Sequence, residues 1–279
     1  MKISIPIEET IKKRVSVRTY ESKTLSIKDR ELLKDMIDNS TNPFGVKVSI
    51  HMIDKDTALN GEKLGTYGVI KGAKTFLGVS VAKEEYALIA AGYQFQCLIL
   101  YATYLGLGTV WLAATFSRDR FEAAMNINRE ELFLVISPIG YPAEKRSIAE
   151  NIMRRTMKSN NRKSWEEIFF YESFESVLTK EEAGEYLKPL EMLRLAPSST
   201  NSQPWRVVKK KGAYHFFEVH KNNAKEEEVM IKQVDLGIAL CHFHQTALEN
   251  GLVGNFEKKT DIEIDISSDM NYIISWNFI

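Results

Sequence analysis

The chain has 279 residues, 37 basic and 37 acidic, so its formal net charge at neutral pH is zero. That balance gives no electrostatic footing for nucleic acid or an anionic membrane surface. The length fits one large domain or two ordinary ones, and a 44% hydrophobic share is ample for a packed core.

The N-terminal stretch has no long apolar run, so no signal peptide is expected. Ser4 and Pro6 open a short helix with Ile7 and Ile11 on one face. The chain then reads Arg14-Val-Ser-Val-Arg18, where an extended backbone turns Arg14, Ser16 and Arg18 to one side. Two guanidiniums around a hydroxyl make either an anion cradle or a solvated basic turn. Ser26 caps a helix to Asp38 with Leu32, Leu33, Met36 and Ile37 on its apolar face. Val46, Val48, Ile50 and Met52 alternate with polar residues as a half-buried strand, and residues 75–81 make a second strand. Residues 86–105 are almost wholly apolar. Gln94 and Gln96 near the middle, and the lack of a basic flank, favour a buried core helix over a membrane span. Gly106 and Gly108 stop it. Strands are expected at 109–113 and 132–137, with a helix from about Ser117 between them. Arg154, Arg155, Lys158, Asn160, Arg162 and Lys163 then form a basic linker or arm.

The second half opens on Thr179-Lys-Glu-Glu182, a capping box, with a helix expected as far as Leu195. The loop Ala196-Pro-Ser-Ser-Thr-Asn-Ser-Gln-Pro-Trp205 follows. Its prolines, hydroxyls and amides suit either a capped helix-to-strand connection or the rim of a planar polar ligand. A hairpin around Lys211-Gly212, a charged loop at 221–228, an apolar helix at 235–250 and a strand at 272–276 complete the chain. Cys241, His242 and His244 do not share one helix face, so no metal site is expected. Cys97 and Cys241 lack CxxC spacing and read as reduced thiols of a cytoplasmic protein.

The halves resemble each other. Ser40-Thr-Asn-Pro-Phe44 answers Ser199-Thr-Asn-Ser-Gln-Pro-Trp205. Gly92, Ala102 and Gly106-Leu107 answer Gly237, Ala247 and Gly251-Leu252 at a constant offset of 145. Val135-Ile-Ser137 answers Ile273-Ile-Ser275, and the order is kept throughout. Such a repeat implies a homodimer fused into one chain: an α+β fold of two similar halves, residues 1–165 and 166–279, around central apolar helices. The expected state is a monomer acting as an intramolecular dimer. Only the first half has the Arg-x-Ser-x-Arg segment and only the second has the full loop, so one composite site is expected, not two.

Together these segments resemble the nitroreductase family of flavoproteins. Arg14–Arg18 is similar to its N-terminal R-R-S-x-R motif, and Ala196–Trp205 to its A-P-S-S-x-N-x-Q-P-W motif. Gly106-Leu-Gly-Thr-Val-Trp111, Gly140-Tyr-Pro142 and Arg162-Lys163 match further family features. The resemblance implies FMN in a cleft between the halves. Arg14, Ser16 and Arg162 would hold phosphate, and Arg18 would face the N1/C2=O edge and stabilise charge there. Pro197, Ser198, Ser199, Asn201 and Gln203 would line the ring, with Thr109 at its margin. Val15 and Asn160 depart from the family's basic residues at those positions. The implied activity is FMN-dependent oxidation of NAD(P)H, with NAD(P)H as a transient reductant and nitroaromatics, quinones or similar electrophiles as acceptors. A flavin carrier of the same fold and a flavin-less scaffold are the competing readings. The region 60–67 is the expected cover of the open flavin face.

Overall fold

The computed structural model describes residues 2–55, 64–145, 147, 150, 156, 161–220 and 224–278. Two helices form its centre: α3 (Ala87–Tyr104) and α7 (Glu226–Glu249). α3 is buried nearly all round, and α7 is from Val234 to Ala247, as stretches without a polar stripe require. They cross through two glycines. A Cβ on Gly92 would collide with the backbone of Val234, and a Cβ on Gly237 with the backbone of Ile89. Raising Gly92 by 145 and lowering Val234 by 145 turns the first pair into the second. The neighbouring contacts exchange in the same way. Gln96 Nε2 lies 2.9 Å from His242 Nε2, and Cys97 Sγ lies 3.5 Å from Cys241 Sγ. A contact in which each partner's role returns on the other side is the mark of twofold symmetry.

The sheets repeat that relation. In the first half β1 (Val48–Asp54), β2 (Thr75–Val81), β3 (Gly108–Thr109) and β4 (Leu132–Gly140) form a sheet in the order β1-β2-β4-β3. In the second half the strands are β5 (Phe169–Tyr171), β6 (Ser173–Val177), β7 (Trp205–Lys210), β8 (Ala213–Val219), β9 (Gly254–Glu257) and β10 (Met270–Phe278). They pair in the order β6-β5-β7-β8-β10-β9. Its β7-β8-β10-β9 part reproduces the first sheet strand for strand. The additions are β6 and β5, of which β5 pairs parallel to β7 and carries the chain from the first half onto the second sheet.

Smaller helices complete the layers: α1 (Ile7–Lys13), α2 (Ile27–Asn39), α4 (Arg118–Met125), α5 (Lys180–Ala183) and α6 (Leu187–Arg194). The Ser26 side chain caps α2 through Asp29 N, and Thr179 and Glu182 complete the expected capping box. Three expectations shift. The helix expected from 180 to 195 breaks at Gly184, whose φ of 55° lies outside the helical region. The charged stretch at 226–228 is the first turn of α7, where three glutamates suit the positive end of the helix dipole. The strand expected at 109–113 shrinks to β3 plus a single bridge from Leu112 to Ile136. Among the described residues no helix is long and apolar enough to cross a membrane.

Candidate functional site

Beyond α1 the chain turns extended at Arg14 (φ −60°, ψ 125°) and runs beside β3. Ser16 bridges Thr109 in parallel, Val17 N donates to Thr109 O at 2.9 Å, and Lys71 N donates to Arg18 O at 2.9 Å. This edge pairing fixes the alternation. Val17 faces inward against Gly108, where a Cβ would meet it at 2.8 Å. Arg14, Ser16 and Arg18 face the opposite way, into one cleft. Val15 is 42% exposed and lies outside that lining.

The cleft's other wall is the 196–205 loop. Three of its residues hold positive φ without being glycine: Thr200 (50°), Asn201 (58°) and Gln203 (48°). For the β-branched Thr200 this is a strained state, which persists only where the surroundings over-determine it. The surroundings do so here. Ser199 N donates to both carboxyl oxygens of Asp235, each at 3.0 Å. Gln203 N donates to Ser198 Oγ at 2.9 Å, and Lys163 N donates to Gln203 Oε1 at 2.8 Å. Arg162 donates through Nε and Nη2 to Leu195 O at 3.2 and 3.1 Å, and through Nη1 to Asn201 Oδ1 at 3.3 Å.

The cleft holds about 240 Å³. The first half supplies Arg14, Ser16 and Arg18 with the apolar Val110, Leu112 and Val135. The second supplies Pro197 to Asn201 with Val234, Asp235 and Ile238, and Arg162 comes from the connection. Burial pushes the Asp235 carboxyl up to about 8, against the lowering pull of the Ser199 N–H and Lys232. Burial and the nearby Arg194 both lower the pKa of Arg162. At neutral pH the lining therefore carries three guanidiniums and a largely protonated acid, a net charge near +3. A polar, cationic end beside apolar walls fits a planar ring that carries a phosphate.

Eight of the ten residues singled out from the sequence line this cleft: Arg14, Ser16, Arg18, Arg162, Pro197, Ser198, Ser199 and Asn201. Thr109 and Gln203 do not. Thr109 lies behind the Arg14–Arg18 segment, its buried Oγ1 without a hydrogen-bond partner among the described residues, and Gln203 braces the loop from within. Of the expected cover at 60–67, residues 60–63 lie outside the described residues, as does Asn160 with Arg154, Arg155 and Lys158. Sequence reading missed Asp235, although it is the lone acid in the apolar run from Val234 to Leu240. Trp111, read from the sequence only as the end of the Gly106–Trp111 motif, also lines the cleft, and its Nε1 donates to Gln96 Oε1 at 3.0 Å.

The pseudo-symmetric position is filled by side chains. At the offset of 145, Tyr86 and Tyr93 stand where the cleft has Ile231 and Ile238, and Phe256 answers Trp111. Phe44, from the shortened loop, packs against all three, with ring centroids 6.1, 5.7 and 5.5 Å away. Cys241, His242 and His244 are each bonded within the core. Among the described residues no cluster of His, Cys, Asp or Glu could hold a metal ion.

The family model described as "Putative TM nitroreductase" matches residues 6–247. The crystal structure of a "putative nitroreductase" from Thermotoga maritima is similar over 100% of this chain and 96% of its own, at 21% identity and a TM-score of 0.61. A nitroreductase family protein from Clostridium novyi aligns with 50% of this chain and 87% of its own (19% identity, TM-score 0.41). A nitroreductase with bound FMN from Bacteroides fragilis aligns with 52% of this chain and 92% of its own (15% identity, TM-score 0.42). No curated protein matches the sequence.

Proposed function

The chain belongs to the "Putative TM nitroreductase" family, and from that premise we propose an FMN-dependent NAD(P)H oxidoreductase with one flavin site per chain. The observation that carries this reading is the meeting of Arg14, Ser16 and Arg18 from one half with Pro197–Asn201 from the other, in a single cationic cleft with apolar walls. Acceptors would be nitroaromatics, quinones or similar small electrophiles, and the setting the reduced cytoplasm that supplies NAD(P)H. The division of the halves at 165/166 belongs to the same reading, since β5 just beyond it already lies on the second sheet.

In this reading Arg14, Ser16 and Arg162 hold the phosphate by charge-assisted hydrogen bonds. Arg18 would supply a fixed positive charge able to stabilise negative charge on the flavin ring. The apolar Val110, Leu112, Val234 and Ile238 would exclude water from a ring bound in the cleft, and the hydrogen-bonded loop would hold its backbone groups in place. FMN supplies the hydride chemistry when bound. The test is a titration of the purified chain with FMN, followed by addition of NADH or NADPH under anaerobic conditions. Binding and bleaching of the flavin absorbance near stoichiometric reductant are expected. A chain that neither carries nor takes up FMN refutes the reading.

A further inference from the structure

The cleft contains one acid that the phosphate-and-ring reading leaves without a role. Asp235 is 4% exposed, lies in the cleft wall, and accepts the Ser199 N–H on both carboxyl oxygens. Behind it stands a second buried acid, Glu218 on β8, 0% exposed and paired across the ladder with Trp205. Neither Glu218 carboxyl oxygen has a hydrogen-bond partner among the described residues. A buried carboxylate without a donor is held ionised only at a cost of several kcal/mol, so Glu218 keeps its proton into the neutral range.

We propose that Asp235 is the proton-accepting residue of the cleft, taking up a proton as anionic FMN binds, so that its neutral carboxyl holds the ring loop without repelling the ligand. The proposal rests on the FMN reading above. The charges that face Asp235 decide its sign. Lys232, on the same helix, and the Ser199 N–H favour the carboxylate, while Arg14, Arg18 and Arg162 share the cleft lining with it. Glu218 disfavours it. An entering phosphate, dianionic above roughly pH 7, becomes the counter-charge of the three guanidiniums. It also brings negative charge into the cleft that Asp235 lines, and a like charge raises the pKa of that carboxyl from an already elevated value. Burial puts that value at about 8 in the free cleft, and Glu218 at about 7. A group that gains affinity for protons on binding makes binding weaken as pH rises through its free-state pKa.

The experiment is calorimetric titration of the full, flavin-free chain with FMN at pH 8 in buffers of different ionisation enthalpy. Uptake on the order of half a proton per FMN is expected. Between pH 7 and 9 the Kd should rise by up to about tenfold. Asp235→Asn keeps an oxygen for Ser199 N–H. It should bind FMN with no proton uptake and a flat pH profile. Glu218→Gln removes the like charge, so the uptake maximum should move to lower pH, which keeps a test in hand if Asp235→Asn does not fold. FMN binding without proton uptake in the unaltered chain overturns the proposal, and so does uptake that survives in Asp235→Asn. Absence of FMN binding overturns the functional reading itself, and this proposal with it.

Discussion

Alanine at Gly92 should weaken the molecule at its centre. The added Cβ overlaps the Val234 carbonyl oxygen and lies 3.0 Å from its carbon and 3.1 Å from Val234 Cα. Carbon atoms sit comfortably at roughly 3.5–4.0 Å. Every one of these atoms is backbone inside α7, so no side chain can swing aside and the helices must part. Overpacking of this kind costs about 1–3 kcal/mol, and a clash of backbone on backbone belongs at the upper end. Alanine's better helix propensity returns about 1 kcal/mol. The net loss is then about 2 kcal/mol, or roughly 4–8 °C in Tm for a chain of this size. Gly237→Ala should cost about the same, because it meets the Ile89 carbonyl in the same way. The double variant should cost less than the sum by about 1 kcal/mol, since a crossing already spread by one methyl admits the second more easily. Thermal melts of both single variants and the double, followed by circular dichroism, measure all three. A single variant as stable as the parent, as propensity alone would make it, refutes the close approach. A strictly additive double variant refutes the claim that the glycines share one crossing.

Arg14→Ala and Arg18→Ala should each weaken FMN binding by roughly 10- to 100-fold, the worth of one charge-assisted hydrogen bond. Flavin fluorescence quenching reads this, and an unchanged Kd sinks the assigned roles. Flavin-to-chain stoichiometry should be one. Two flavins per chain would contradict the filled position around Phe44. Stability should peak near pH 6.5. Burial lowers His215 to about 4, His242 to about 3 and His244 to about 4. These are neutral in the fold, so their contribution is present above the unfolded pKa of roughly 6.5 and is lost as pH falls toward 4. Glu218 and Asp235, raised to about 7 and about 8, contribute in the opposite sense, and that stability is lost as pH rises through those values. From pH 6.5 to 8 only the acids act, for a decline on the order of 2 kcal/mol. Chemical denaturation across pH 5–9 checks the shape, and a curve still rising from 6.5 to 8 contradicts the buried acids.

The fold was most legible where burial imposes a pattern. The strand at 75–81 coincides with β2, and the apolar run at 86–105 is α3 to within a residue at each end. The repeat was legible because glycines at a helix crossing cannot drift: Gly92 and Gly237 keep their spacing where surface loops do not. Short strands escaped. In β9, Asn255 and Glu257 face solvent beside a half-buried Phe256, and four residues carry too little alternation to stand out from a loop. The parallel pairing of β5 with β7 is a tertiary relation with no local signal. The motif residues of the cleft were readable as chemistry in fixed spacing. Asp235 was not, because its meaning depends on Ser199 and Glu218, which reach it from distant parts of the chain.

The crossing strand β5 also sets how the cleft responds to dilution. A site shared between separate subunits falls apart when protein concentration drops below their dissociation constant. Here the two walls travel on one polypeptide that is woven into the second sheet as soon as the second half begins. The partner wall is present at an effective concentration in the millimolar range or above, as for any short tether that spans its sites. The cleft should thus be as complete in a nanomolar solution as in a concentrated one.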